Sequence, residues 1–325
     1  MNKDWGRVRR PLTIVIVIAG GFLLPFLLTT QQQSLATRAL IFGMAAASLD
    51  LAYGQAGLYS LGNAALFGVG GYTVGILMVR NGIESFWILI AAAIVGAALA
   101  SAIFGLIALR ARGLYFILVT LALGQMVANT AQQWSFLKTS YSESVTGIYL
   151  PALGLGEKWT NGTFYQFVLV IAVLMMVVIR RIVTSPLGSA IRGTRENEVR
   201  MAVLGYNVWR YRLMALVLSG TLTGVAGALF AFQAGLIAPT NIGVAASGLL
   251  ALMVIIGGSG TRYGAFIGGI IVTLLTYYAS QWNEQRAPLI IGVIFVVTAL
   301  VNRYRGRLVE VVRSMRHREV SDVAA

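Results

Sequence analysis

The feature that most constrains this chain is its series of long apolar segments. The 325 residues are 58% hydrophobic and only 11% charged. The apolar residues occur in runs of about 15–22, close to the roughly 20-residue helix that crosses a bilayer core. Because backbone N–H and C=O groups in lipid must be paired within the segment, each run is expected to be a helix. The sequence therefore predicts an all-α, polytopic transmembrane helical bundle.

The apolar runs define about ten predicted spans, and the basic residues orient them. The spans cover residues 12–29, 38–53, 64–79, 87–108, 113–131, 164–181, 211–234, 244–257, 264–282 and 288–302. Alternating them across the membrane places twenty of the 25 Lys and Arg residues on the side of the N-terminus and five on the other. By the positive-inside rule, both termini are expected to be cytoplasmic. The net charge of +14 is thus interpreted as orientation and contact with anionic lipid rather than nucleic-acid binding.

This topology divides the chain into a cytoplasmic N-terminus (1–11), a transmembrane domain (12–302) and a basic cytoplasmic tail (303–325). Two long loops interrupt the transmembrane domain. The exterior loop, about residues 132–163, is rich in apolar and aromatic residues, so it either packs on the outer face or is a simple connector. The interior loop, about residues 182–210, is strongly charged.

Several residue types needed for catalysis or metal binding are absent or misplaced. The chain has no cysteine, and its one histidine, His317, lies in the basic tail. Disulfides, thiolate metal sites and the usual acid/base arrangements are therefore excluded. The glycine cluster at 257–264 has an arginine where a phosphate-binding loop needs lysine, and no strand precedes it. The chain is not expected to be an enzyme or to bind a metal or cofactor itself.

The interior loop contains the segment "GTRENEVRMAVLG" at 193–205. Its four charged residues are Arg195, Glu196, Glu198 and Arg200. Ser185 followed by Pro186 predicts one helix start, and a second start is expected after Gly193. The second helix is predicted to have about ten residues, to be supported by a Glu196–Arg200 ion pair, and to end at Gly205.

This short helix has an apolar stripe that needs a cover. The stripe consists of Val199, Ala202 and Val203. A helix of that length is not stable alone in water, so something is expected to bury the stripe. Two alternatives are open: the stripe packs against its own protein, or it inserts into a partner.

Glycines in the predicted spans suggest close helix packing and breaks along a solute path. Three G-x-x-x-G pairs are typical of helix contacts in lipid: Gly71 and Gly75, Gly220 and Gly224, Gly264 and Gly268. Glycine-rich breaks between apolar segments often line a transporter's substrate path. The predicted path residues at the two breaks are Gly57, Ser60, Gly62, Asn63, Gly257, Gly258 and Gly260. Asp50 joins them as the one carboxylate placed within a span, either functional or near water at the cytoplasmic end.

Several stretches in this order resemble one family of proteins. They are "LDLAYGQAGLYSLGNAALFGVGGYT", "LRARGLYFILVTLALGQM", "GTRENEVRMAVLGYNVWRYR", "SGTLTGVAGALFAFQAGLIAPTNIG" and "LMVIIGGSGTRYGAFIGG". Together they are similar to the larger permease subunit type of the branched-chain amino acid ABC transporter family, over most of residues 40–300. Where that family commonly has His this chain has Asn63, and "SVTG" at 144–147 lacks a doubled glycine. The resemblance implies a hydrogen-bonding role for Asp50.

The resemblance also implies an assembly in the bacterial plasma membrane. A homologous permease subunit, two cytoplasmic ABC ATPase subunits and an exterior solute-binding protein would be the partners. ATP would be used by the ATPase subunits, and the 193–205 segment would be the loop on which they dock. Branched-chain or other hydrophobic amino acids are the expected solutes, with urea, amides and aromatic acids as alternatives. A secondary transporter driven by an ion gradient and a membrane anchor without transport activity remain open.

Overall fold

The computed structural model of the chain describes residues 28–134, 144–150 and 161–282 apart from 262, together with isolated residues at 21, 22, 25, 289, 292, 293 and 296. The α-helices are α1 Thr30–Asp50, α2 Asn63–Val79, α3 Phe86–Ala108, α4 Leu114–Gln133, α5 Asn161–Thr184, α6 Pro186–Glu196, α7 Glu198–Val203, α8 Val208–Ala234, α9 Val244–Gly257 and α10 Gly264–Trp282. Two-residue strands β1 Val145–Thr146 and β2 Leu236–Ile237, a π-helix Leu51–Gln55 and a 3-10 helix Pro239–Asn241 complete the described elements. The predicted helical fold is confirmed.

The number of spans differs from the sequence prediction. Seven helices of the described residues are long and apolar enough to cross a membrane, rather than about ten. The predicted span at 64–79 is a helix of 17 residues, α2, which falls just short of that length. The predicted spans at 12–29 and 288–302 lie largely outside the described residues, as do the predicted termini at 1–11 and 303–325.

The first described helix begins eight residues before its predicted start at residue 38. Its entry is fixed by Gln32, whose Oε1 accepts a hydrogen bond of 3.0 Å from the backbone N–H of Thr29. Reciprocal capping of this kind pairs backbone groups that would otherwise be unsatisfied. At its other end α1 runs directly into the π-helix, so one continuous helical segment reaches Gln55.

Helix α8 lies at the centre of the bundle and packs on α1, α2 and α3. Its contact with α2 depends on glycine at two positions. A Cβ atom on Gly70 of α2 would overlap the backbone of Gly224 of α8, and a Cβ on Gly227 would overlap the backbone carbonyl of Phe67. Backbones can approach this closely only where no side chain separates them.

The other glycines predicted to mediate packing also lie at contacts. Gly71 lies against Ile237, and Gly75 against Ile148 and Val145. Gly220 faces Ser101 of α3. Gly264 and Gly268 of α10 lie against the backbone of α9, at Gly257 and Met253 respectively. Each spacing marks a packed face, but the partners differ: the two strands and Ile148 for the first pair, α3 for Gly220, and α9 for the last pair.

The short loops of the bundle gather at two opposite ends. At one end, here called the ribbon end, β1 pairs antiparallel with β2, and Val145 and Ile148 are buried. Tyr149 donates a hydrogen bond of 2.6 Å to Glu84, and this bond raises the pKa of the Tyr149 hydroxyl. The described part of the exterior loop, residues 144–150, therefore packs on the bundle. The opposite end carries α6 and α7.

The chain divides into two compact units, and the boundary between them falls within the residues of α10. Residues 1–273 form the first unit and residues 274–325 the second. Within the described part of the second unit, Gln281 donates a hydrogen bond of 2.8 Å to the hydroxyl of Tyr277. All of the features discussed below belong to the first unit.

Candidate functional site: the coupling junction

Helix α6 lies across the end of the bundle opposite the ribbon end. Ser185 accepts a hydrogen bond of 3.2 Å from the N–H of Gly188, and Pro186 occupies the first helical turn. The start predicted from Ser185 and Pro186 is therefore confirmed. The helix buries one face, formed by Gly188, Ala190, Ile191 and Thr194, so it is anchored to the bundle rather than free in solvent.

The helix predicted after Gly193 is wrong in its boundaries. The structure has two helices instead, α6 ending at Glu196 and α7 beginning at Glu198. Asn197 separates them because its backbone is extended and its side chain accepts a 2.9 Å hydrogen bond from the N–H of Arg200. An asparagine amide competes in this way with the helical hydrogen bond. Glu196 and Arg200 therefore lie on separate helices, and their predicted ion pair is absent from the described residues.

Helix α7 ends as predicted at Gly205. Its φ of 85° is in the left-handed region that glycine adopts without strain. The N–H of Gly205 donates to Ala202, and the N–H of Tyr206 donates to Met201, each at 3.0 Å. These two bonds form a Schellman motif, which stops the helix and pairs its last carbonyls.

The apolar stripe of α7 faces away from the bundle. Val199 is 74% exposed and Val203 83% exposed, and Ala202 is also exposed. On the opposite side, Met201 contacts Gly193 of α6. Of the two alternatives for this stripe, packing against its own chain does not occur among the described residues.

A charged pair fixes the orientation of α7 relative to α8. Glu198, the first residue of α7, forms a salt bridge with Arg212 of α8. Because Asn207 caps α8 through a hydrogen bond of 3.1 Å from the N–H of Arg210, the residues between the two helices are also held. The salt bridge and the Asn207 cap therefore hold α7, and with it the apolar stripe, in a fixed orientation relative to α8.

The centre of the site is the contact between α6 and the π-helix. The guanidinium of Arg195 donates a hydrogen bond to the backbone carbonyl of Gly54. Its aliphatic part lies against Gly57, where a Cβ atom would be only 2.9 Å from Arg195 Cγ. Gly57 also has a φ of 70°, so this turn suits glycine on both counts. Arg195 therefore connects the interior loop with the end of α1.

Asp50 connects the same region with the turn between α9 and α10. Its Oδ1 accepts a hydrogen bond of 2.8 Å from the backbone N–H of Gly260, and the residue as a whole is only 6% exposed. Gln55 donates a bond of 3.2 Å to the carbonyl of Gly260. The N–H and the C=O of Gly260 are therefore both hydrogen-bonded to side chains at the end of α1.

A second arginine of α6 reinforces this arrangement. Arg192 donates a hydrogen bond of 2.7 Å to the carbonyl of Val183 at the end of α5, and a longer one of 3.4 Å to Gln55. The contacts of Arg192, Arg195 and Asp50 therefore join α1, α5, α6 and the α9–α10 turn. We call this set of contacts the coupling junction.

The junction brings together residues that the sequence assigned to two separate sites. Arg195 belongs to the predicted interior loop, whereas Asp50, Gly57 and Gly260 were predicted to line a solute path. Gly258 lies in the same turn as Gly260, with a φ of 90°, and its carbonyl accepts a 2.6 Å bond from Thr261. Their role in a path stays a prediction, but in this structure they lie where the loop meets the bundle.

The remaining predicted path residues are packed. Asn63 is 1% exposed and donates a hydrogen bond of 3.1 Å to Ser219 of α8. Ser60 is 2% exposed and accepts a bond of 3.2 Å from the N–H of Gly62. Gly62 in turn lies against the backbone carbonyl of Thr120. Gly257 lies against the backbone of Gly264 and is half-buried, whereas Ser60, Gly62 and Asn63 are buried in this conformation.

Sequence reasoning missed three residues of the junction. Gly54 was not distinguished from the other glycines, and Gln55 and Arg192 carry no motif that marks them. The only available signal was the clustering of small and amide residues in "YGQAG" directly after Asp50. No group of histidines, cysteines and carboxylates suited to a metal ion occurs in the part of the chain that the structure describes.

The fold and the junction define a class of protein. Seven of the described helices are apolar and long enough to cross a membrane, so this is a multi-pass membrane protein. The charged segment of α6 and α7 connects two of these helices and lies outside the spans. The model of the family described as "Branched-chain amino acid transport system / permease component" matches residues 32–299. The chain belongs to this family of transport permeases, as the sequence resemblance indicated.

Individual relatives give the same result. The chain is 27% identical to the high-affinity branched-chain amino acid transport system permease protein LivM of Escherichia coli K12, over 94% of this chain and 76% of that protein. It is 25% identical to the permease protein LivH of the same system and organism, over 81% of this chain and 91% of that protein. A probable LivH from Methanocaldococcus jannaschii is 30% identical over 37% of this chain and 39% of its own length. No solved structure matches the chain.

Proposed function

We propose that this chain is the membrane-spanning permease subunit of an ATP-driven ABC importer in the bacterial plasma membrane. The observation that carries the proposal is the exposed apolar stripe of α7, held on a fixed base next to the coupling junction in a member of a transport permease family. A stripe of Val199, Ala202 and Val203 that the described part of the chain leaves uncovered is suited to a partner protein. The end that carries α6 and α7 is the cytoplasmic end, because most of the basic residues belong to it.

The partners follow from this assignment. Two cytoplasmic ABC ATPase subunits dock on α7 of this chain and of a homologous permease subunit, and an exterior solute-binding protein delivers the solute. ATP is bound and hydrolysed by the ATPase subunits. Movement of α7 is transmitted through Arg195 to the end of α1 and, through Asp50, to the turn before α10. Such movement of packed helices around a solute site gives alternating access.

The proposed solute class rests on the relatives of this chain. The relatives named above are permeases of branched-chain amino acid transport systems. Hydrophobic amino acids are therefore the proposed solutes, and the binding protein is the component that selects them. Urea, amides and aromatic acids are the alternatives within the same type of importer.

The test is purification of the tagged chain in mild detergent from cells that express it at native level, followed by mass spectrometry. An ATPase and a second permease in the purified material are the expected result. Uptake of radiolabelled leucine should stop when the partner ATPase is inactivated and continue when the proton gradient is collapsed with ATP maintained. A chain that is recovered alone, even after crosslinking through α7, would favour a transporter driven by an ion gradient.

Asp50 provides a prediction that separates these two mechanisms. Asp50→Asn is expected to retain uptake within a few-fold, because the amide oxygen still accepts the hydrogen bond from the N–H of Gly260. Asp50→Leu is expected to lower uptake by about tenfold, since an unpaired buried N–H costs about 1–3 kcal/mol and 1.4 kcal/mol is a factor of ten. Initial rates of uptake in membrane vesicles measure both. If Asp50→Asn were as inactive as Asp50→Leu, a role in proton transfer would replace the hydrogen-bonding role.

A further inference from the structure

Helix α4 packs on the bundle by one narrow face. Its buried residues recur every three or four positions and are Phe116, Thr120, Gly124, Ala128 and Ala131. The opposite side of the helix is exposed along its whole length, with Tyr115 72% and Met126 67% exposed. A spanning helix at the edge of a bundle can face lipid, another protein or water on such a side.

The exposed side of α4 carries amide side chains. Gln125 and Asn129 lie one turn apart on it, followed by Gln132 and Gln133 on the next turn. Asn129 is exposed and Gln125 is half-buried. Neither side chain forms a hydrogen bond within the described residues. We call Gln125 and Asn129 the amide pair.

The depth of Gln125 excludes lipid tails as its surroundings. It lies eleven residues after Leu114 and eight before Gln133, the two ends of the helix. At a rise of about 1.5 Å per residue, it is only about 2 Å from the middle of the span. A polar side chain at that depth faces the interior of an assembly or a water-filled cavity, because an unpaired amide in hydrocarbon is costly.

The exposed side of α3 shows what a lipid-facing side looks like in this chain. Its exposed large residues are all apolar: Trp87, Ile88, Ile94, Val95, Leu99, Ile103, Leu106 and Ile107. On the exposed side of α4, the first half carries Leu114, Tyr115 and Leu118, whereas the second half carries the amides beside Met126. Contact sides between helices in lipid favour small residues that let the backbones approach. The large residues on this side of α4 do not suit such close approach, and the amides of its second half do not suit lipid.

We propose that the exposed side of α4 lines the solute route of the assembled transporter, where the amide pair hydrogen-bonds the ammonium and carboxylate groups of a zwitterionic amino acid. This inference rests on the proposed importer function and adds the part of the surface that the solute contacts. Neutral amides stabilise a zwitterion without holding it as a fixed charge would. Met126 beside them and Leu118 two turns away on the same side accommodate an aliphatic side chain, so the combination suits a route that must also release its solute.

The natural absence of cysteine makes the test direct. Single variants Gln125→Cys and Asn129→Cys are compared with Val95→Cys, which is 57% exposed and lies near the middle of α3. Each variant is expressed with its partners, and membrane vesicles are treated with a charged, membrane-impermeant methanethiosulfonate reagent. This reagent modifies thiolates, which form in contact with water. The two α4 variants are expected to react at least about tenfold faster than Val95→Cys, and leucine supplied with its binding protein should slow the reaction.

The alternative outcomes are distinct. If both α4 variants reacted as slowly as Val95→Cys, or formed disulfides between two permease subunits, this side of α4 would face lipid or another protein, and the proposal would be overturned. If they reacted quickly but no amino acid slowed the reaction or was taken up, the water-lined side would stand and the proposed function would fail. Gln125→Leu should reduce uptake while Gln125→Asn retains part of it; equal loss in both would contradict the hydrogen-bonding role of this amide.

Discussion

Aspartate in place of Val203 is expected to abolish ATP-driven uptake and to leave the bundle intact. Val203 is 83% exposed at the end of α7, so the packing of the described helices does not depend on its side chain. In the proposed importer it would be buried against an ATPase subunit, where an unpaired carboxylate carries a large desolvation cost. Central interface residues typically contribute 2 kcal/mol or more, so docking should weaken by about thirtyfold or more.

The measurement combines leucine uptake, recovery of the ATPase with the tagged permease, and the apparent melting temperature in detergent. Val203→Ile is the matched control, because it keeps an apolar branched side chain at the same position and is expected to transport normally. Gly205→Pro tests the same helix independently. Proline cannot adopt the φ of 85° found there, and it removes the N–H that donates to Ala202. Normal uptake by Val203→Asp and Gly205→Pro would mean that α7 is not the docking segment.

Alanine in place of Gly227 is expected to destabilise the bundle strongly. The added Cβ would overlap the backbone carbonyl of Phe67, which cannot rotate away as a side chain can. Helices α2 and α8 would have to separate, and overpacking of this kind costs typically 1–3 kcal/mol or more. The apparent melting temperature in detergent should fall by about 5 °C or more.

Gly248→Ala is the matched control for this effect. Gly248 is also in a helix, α9, but a Cβ atom there meets nothing within 4 Å. Because alanine loses less conformational freedom than glycine when a helix forms, this variant should be neutral or slightly more stable, by about 0.5–1 kcal/mol at most. Equal melting temperatures for Gly227→Ala and Gly248→Ala would show that the contact between α2 and α8 tolerates an added methyl group.

The sequence predicted the helical fold from the length of its apolar runs, because a membrane leaves the backbone few alternatives. It was less informative where helices are short or interrupted. Asn197 divides a segment that periodicity indicated was a single helix, since one side-chain hydrogen bond to the N–H of Arg200 outweighs a weak helical pattern. The predicted span at 64–79 is indeed a helix, α2, but its 17 residues fall just short of the length of the seven spanning helices.

Contacts between distant parts of the chain were beyond a reading of one sequence. The G-x-x-x-G spacing identified glycines on packed sides, but two of the closest contacts involve Gly70 and Gly227, which the chosen pairs omitted. The coupling junction joins residues 141 and 210 positions apart, in the bonds of Arg195 to Gly54 and of Gly260 to Asp50. Nothing in the local pattern at either residue specifies its partner, because half of each bond is a backbone group present at every position.

That property of the junction has a consequence for the genetics of the protein. Asp50 and Arg195 carry opposite charges, yet each is bound to a main-chain group of fixed polarity, an N–H for Asp50 and a C=O for Arg195. Exchanging the two residues would place a donor against a donor and an acceptor against an acceptor. A double variant with the two charges exchanged should therefore not regain function. For the same reason, a substitution at either position should not be suppressed by a second substitution at the other.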